Sequence, residues 1–136
     1  MIDVIIDLES CVEAEDTQIM NVSSVGQMRL ESDCCRLYYD EEDAEGNKVK
    51  TIIKVEGEYV MIQRQGGSDS CLIVKQGERF SSPYNTGYGM LNVGVKGNRV
   101  ESSIDENGGK IELEYDLDIN SDYVSKNVIK INIRRI

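Results

Sequence analysis

Lys110-Ile111-Glu112-Leu113-Glu114-Tyr115-Asp116-Leu117-Asp118-Ile119 places an apolar residue at every second position and a charged one between. Successive side chains on a strand point to opposite faces, so this spacing makes one face apolar and the other charged throughout. Such a segment is a half-buried antiparallel strand with water on its outer side. Ile2, Val4, Ile6 and Leu8 repeat the pattern against Asp3, Asp7 and Glu9. Val49, Thr51, Ile53 and Val55 alternate with Lys50, Lys54 and Glu56, and Ile129, Ile131 and Ile133 with Lys130, Asn132 and Arg134. Weaker strands are expected around residues 19–31, 34–40, 59–65, 70–75, 78–82, 88–97 and 99–104.

Turn chemistry falls between these runs. Glu45-Gly46-Asn47, Glu56-Gly57-Glu58, Gly66-Gly67-Ser68-Asp69 and Gln76-Gly77-Glu78 each offer a glycine for positive φ. Asp105-Glu106-Asn107-Gly108-Gly109 is the strongest hairpin signal, with Asn-Gly between alternating strands. No long amphipathic helix is written into the chain, and Asp40-Glu41-Glu42-Asp43 reads as a solvated loop. Regular short strands joined by tight turns make a meander, and closure removes the edges that invite aggregation. The expected fold is therefore all-β, a closed antiparallel meander β-barrel of about 8–11 strands. At 136 residues, the chain is expected to form a single domain over residues 1–136.

Composition narrows the function classes. The net charge is −10 with no histidine, a surface that repels phosphate backbones and anionic membranes. Neither a nucleic-acid nor a membrane partner is expected. Nothing at the start resembles a secretion signal and no apolar run could span a bilayer, so a cytoplasmic location is expected. Cys11, Cys34, Cys35 and Cys71 should then be reduced. They form no CxxC pair and have no histidine to complete a zinc set, so no metal and no cofactor is expected. Without histidine, Ser-His-Asp and Cys-His catalysis is excluded. Nothing selects a pair from the many carboxylates, and the reading leans away from an enzyme. Asp118-Ile119-Asn120-Ser121-Asp122 opens like a calcium loop, but Tyr123 and Ile129 stand where glycine and glutamate are required.

Two features carry the candidate ligand site. Arg64 follows Val60 and Ile62 at strand spacing. If that face is interior, Arg64 can meet an acidic group bidentately. The competing readings leave Arg64 exposed, with Tyr59 and Met61 inside, or pair it internally with an Asp or Glu. The second feature is Ser81-Ser82-Pro83-Tyr84-Asn85-Thr86-Gly87-Tyr88-Gly89, where Tyr84, Thr86 and Tyr88 combine aromatic faces with hydroxyl tips suited to a ligand entrance. The plain alternative is a structured turn packed across a barrel end.

Tyr84-x-Thr86-x-Tyr88-Gly89-x-Leu91, then Gly94-Val95 and the block from Asp105 through Asn120, resemble the YwiB-like family of uncharacterised bacterial domains. The resemblance runs the full length. It departs at Gly87, where the family motif carries proline before the tyrosine. It implies a calycin-like, lipocalin-like barrel and supplies no activity. Two classes of role follow. One is a non-enzymatic barrel binding a small, partly apolar molecule, with an acidic group on Arg64. The other is a protein-interaction or structural module with a filled core.

Overall fold

The computed structural model describes residues 1–42, 45–66, 69–85 and 89–136, with Tyr84 and Asn85 by their backbone. Ten strands follow one another: β1 (Ile2–Glu13), β2 (Thr17–Leu30), β3 (Cys35–Glu42), β4 (Lys48–Glu56), β5 (Tyr59–Gln65), β6 (Ser70–Lys75), β7 (Arg79–Asn85), β8 (Met90–Asp105), β9 (Gly108–Ile119) and β10 (Asp122–Arg135). There is no helix among the described residues. All ten strands join one antiparallel sheet, ordered β6-β5-β4-β3-β2-β1-β10-β9-β8-β7. Every neighbour is consecutive in sequence except the pair β1 and β10, whose register runs from Val4 opposite Arg135 to Glu13 opposite Lys126.

The two edges of this sheet meet only in part. Gly77 N donates to Gly97 O at 2.9 Å and Gly97 N to Glu78 O at 3.0 Å, stitching the β6–β7 turn to β8. A Cβ at Gly97 would collide with the Lys75 carbonyl, so only glycine lets the seam close this tightly. The barrel is nearly closed. Its expected strands at 88–97 and 99–104 are one strand, β8, interrupted between Gly97 and Arg99 by a bulge. A bulge shifts the alternation by one residue, which made one strand read as two.

Register explains the filling of the interior. Met28, Leu37, Ile53, Ile62 and Leu72 oppose one another across β2 to β6, with Cys35, Val55, Val60 and Val74 in the next layer. Leu8, Ile131 and Ile111 form a matching layer across β1, β10 and β9. All of these side chains belong to one buried apolar cluster except Leu72, which is partly buried and packs against it. The half of the barrel holding both chain termini is thus packed by aliphatic groups. Burial also pushes the Cys35 thiol up to about 11, with Cys34 adding to the rise. The four cysteines are all free.

Outside, β7 is held to the barrel by a fork. Arg79 Nε donates to Asp118 Oδ2 at 2.9 Å and Nη2 to Oδ1 at 2.7 Å, from β7 to β9 across β8. The fork passes directly over Gly94, where a Cβ would strike both side chains. Arg79 accordingly holds the Asp118 carboxyl below its usual range.

Two measurements follow. Gly94→Ala should push the ends of Arg79 and Asp118 aside and break the fork, lowering the melting temperature no further than loss of the fork itself does, read by thermal or urea unfolding. Asp118→Asn should lower the melting temperature at pH 7. Because the folded pKa is depressed, the fork's contribution is complete above the unfolded carboxylate value of about 3.9 and disappears as pH falls through the folded value. The gap between wild type and variant should therefore close in acid; a gap that persists at the lowest pH would show that the charge is not what matters.

Candidate functional site

The polar residues inside the barrel gather toward one end. β5 and β7 both run toward it, as do β1, β3 and β9, so it carries the β1–β2, β3–β4, β5–β6, β7–β8 and β9–β10 connections. One layer in from that end, Gly26, Tyr39, Thr51 and Arg64 oppose one another across β2 to β5. This is the same face as Val60 and Ile62, so Arg64 is on the interior side of β5. Across the barrel the corresponding layer holds Val12, Asn127 and Tyr115.

Arg64 approaches Glu41, with Nε 3.6 Å from Oε2; its side chain is 35% exposed and that of Glu41 is 18% exposed. Of the two competing readings for Arg64, the exposed one fails and the internal pairing with an acidic residue matches. The pair is too long for a good charge-assisted hydrogen bond and leaves guanidinium donors free for another acceptor. The Arg64 charge also acts on the phenols of Tyr39 and Tyr115, opposing the rise that burial imposes on both. For Tyr39 burial is the largest cause, and the Glu41 carboxylate adds to it.

Two atoms in this layer are anomalous. Tyr39 Oη and Thr51 Oγ1 are buried and complete no well-formed hydrogen bond, although the Tyr39 phenol lies close enough to Glu41 and Thr51 to interact weakly with both. Their residues are 5% and 1% exposed. Leaving a buried hydroxyl unpaired costs about 1–3 kcal/mol, and native cores rarely carry that cost without a reason. Nearby, Asn127 and Ser125 satisfy each other, with Nδ2 donating to Oγ at 3.0 Å. The orphaned hydroxyls are confined to the side of the barrel that holds Arg64.

Glu41 was not legible as a site residue. The acidic run at residues 40–42 is strand rather than loop, and Glu41 turns inward beside Tyr39 because β3 continues its alternation. Asp43, the last of that run, lies outside the described residues. Tyr39, Thr51 and Tyr115 carried no sign beyond their inward position. Of the expected entrance residues, Tyr84 pairs by its backbone with Leu91 at the end of β7, while Thr86 and Tyr88 lie outside the described residues. Above the polar layer the β1–β2 side of the mouth mixes apolar and polar groups, with Val12, Met20 and Val22 sharing the inner face with Ser10 and Gln18. No cluster of three or more Cys, Asp or Glu capable of holding a metal occurs among the described residues. No helix there is long and apolar enough to cross a membrane.

Known proteins match this architecture. A solved structure described as the crystal structure of ywiB protein from Bacillus subtilis superposes with a TM-score of 0.86 over 99% of this chain and 92% of that chain, at 22% identity. At that identity the likeness concerns the fold. The uncharacterized beta-barrel protein YwiB of Bacillus subtilis (strain 168) is 32% identical over 88 residues, 60% of this chain and 56% of the relative. That alignment thus spans little more than half of the relative's length. The family model described as a domain of unknown function (DUF1934) matches residues 6–131, and the chain belongs to that family.

Proposed function

We propose that this chain is a non-enzymatic, cytoplasmic binding barrel that takes a small, partly apolar molecule bearing an acidic group into its polar mouth. The observation that carries the reading is the pair of buried hydroxyls, Tyr39 Oη and Thr51 Oγ1, which complete no well-formed hydrogen bond in the layer of Arg64. A carboxylate or sulfonate accepts hydrogen bonds and donates none when ionised, so it complements two hydroxyl donors and a guanidinium together. The ligand displaces Glu41, whose hold on Arg64 is already long. Its apolar part lies over Val12, Met20 and Val22 instead of descending, because the lower half is filled. Tyr84, Thr86 and Tyr88, of which only the Tyr84 backbone is described, complete the proposed ligand set. Nucleic acid and membrane are not partners in this reading, since the surface charge opposes both.

The alternative role, an interaction module with a filled core, draws on the packed lower half and on the outward apolar residues Ile19 and Val25, which are 64% and 71% exposed. The two readings differ in what Arg64 does.

Anilinonaphthalene sulfonate, an apolar anion whose fluorescence rises when its rings leave water, serves as the probe. Arg64→Ala should weaken its binding about tenfold or more, the worth of a charge-assisted contact. Glu41→Gln should strengthen it by removing the competitor. Equal affinity in wild type and Arg64→Ala would exclude the mouth as the site.

Thr51→Val gives an independent check that needs no ligand. Valine keeps the shape and removes the unsatisfied hydroxyl, so the empty protein should gain about 1 kcal/mol, or roughly 3–4 °C in melting temperature. Probe affinity should fall in the same variant. A loss of stability would mean that the hydroxyl is already satisfied and not held in reserve.

A further inference from the structure

A different observation concerns β2. It pairs with β1 along its whole length, from Ile2 opposite Met28 to Glu13 opposite Thr17. On its other side β3 pairs only with residues 26–30. Among the described residues, therefore, no strand pairs with the row of backbone N–H and C=O groups that residues 17–25 present on that side. A cleft of about 330 Å³, lined among others by Val25, Gly26, Tyr38, Tyr39 and Asp40, marks where β2 and β3 part.

An open edge is ordinarily guarded by lysine, proline, a bulge or an inward charge. This one has none. Thr17-Gln18-Ile19-Met20-Asn21-Val22-Ser23-Ser24-Val25 contains no charged residue and no proline in a chain that is 29% charged. Its register with β1 runs without a bulge. Ile19, Met20 and Val25 are 64%, 56% and 71% exposed.

We infer that residues 17–25 of β2 form a homodimer interface, on which a second copy of this chain pairs its own β2 antiparallel about a two-fold axis at Asn21. The occupant is a second copy for reasons of length and charge. The free edge begins after the β1–β2 turn and ends where β3 takes over at Gly26, so an antiparallel copy centred on Asn21 uses all of it and meets no other strand of the sheet. A two-fold antiparallel pairing is self-complementary and closes as a dimer without propagating into a fibre. Two molecules of net charge −10 repel over most of their surfaces. The uncharged edge is where that repulsion is weakest, and pairing it to itself brings no like charges into register.

Asn21 supplies the test. It is exposed on the outer face, opposite Glu9 of β1. In the proposed dimer it faces Asn21 of the second copy directly. Asn21→Lys therefore puts two ammonium groups face to face across the axis, while within each monomer the lysine gains Glu9 as a neighbour. Sedimentation velocity of the wild type between about 1 and 500 μM should show a concentration-dependent rise from 15.3 kDa toward twice that mass. Asn21→Lys should weaken dimerisation at least tenfold while leaving the melting temperature unchanged at concentrations where both proteins are monomeric. Mixing Asn21→Lys with Asn21→Glu should restore dimers, since only a two-fold at this residue places the two charges together. A wild type that stays monomeric throughout would overturn the inference. So would a dimer indifferent to Asn21→Lys, or one that the mixture fails to rescue.

Discussion

The pairing of β1 with β10 holds the rest of the structure together. β1 to β6 form one meander and β7 to β10 another, each built from contacts between neighbours in the chain. Only the register between Val4 and Arg135 at one end and Glu13 and Lys126 at the other joins them into a single sheet. That contact closes nearly the longest loop the chain allows, and its entropic cost precedes any gain from packing. Ile6, Leu8, Ile131 and Ile133 make the junction apolar on the inner side, so the layers of both meanders become one core once it forms. The opposite closure, at the β6–β7 turn, is slight by comparison and depends on a few backbone hydrogen bonds around Gly97.

Unequal strand lengths follow from this arrangement and explain where function is placed. β2, β8 and β10 contain 14, 16 and 14 residues, whereas β3, β5 and β6 contain 8, 7 and 6. At the end where β3 and β5 stop, the long strands continue past them. The overhang leaves the inner face without an opposing wall, which creates the mouth above Arg64. It also leaves β2 without a neighbour on one side, which creates the open edge. A single geometric mismatch therefore produces both a concave polar site and a strand in search of a partner.

The alternation of β1, β4, β9 and β10 was legible because each keeps one face in water and one in the core, and period two survives in any register. The barrel followed from it; the direction of Arg64 did not, because β5 is short and either of its faces could be read as the inner one. What sequence left open depended on partners. Glu41 belongs to an acidic run that composition assigns to solvent; it is interior only because β3 extends past its pairing with β2 and brings Glu41 opposite Val49 of β4. Tyr39 and Thr51 look like ordinary strand residues until their buried hydroxyls are found without a well-formed hydrogen bond. The β8–β9 connection turns at Glu106 and Asn107, with Asp105 Oδ1 accepting from Asn107 N at 2.8 Å. Gly108 and Gly109 fall within β9, where a Cβ would strike the backbone at Ile133 and at Ser103. These glycines mark close approach between strands, a cause that the same letters share with tight turns.

The acidity of the chain acquires a more specific meaning from this geometry. Charge distributed over outward strand positions keeps the molecule soluble and discourages association on most faces. Against that background the uncharged stretch of β2 stands apart: a sheet selected only for solubility has no reason to leave this long edge neutral. The same contrast holds inside. Polar groups there are few, and Asn127 and Ser125 show that the fold can satisfy them locally when nothing else is required. Tyr39 and Thr51 are left unsatisfied beside a cation that is itself only loosely held. In both places the fold forgoes a stabilising contact that its own chemistry could have supplied, and a molecule that supplies the contact from outside then binds with the strength of the interaction the protein lacks.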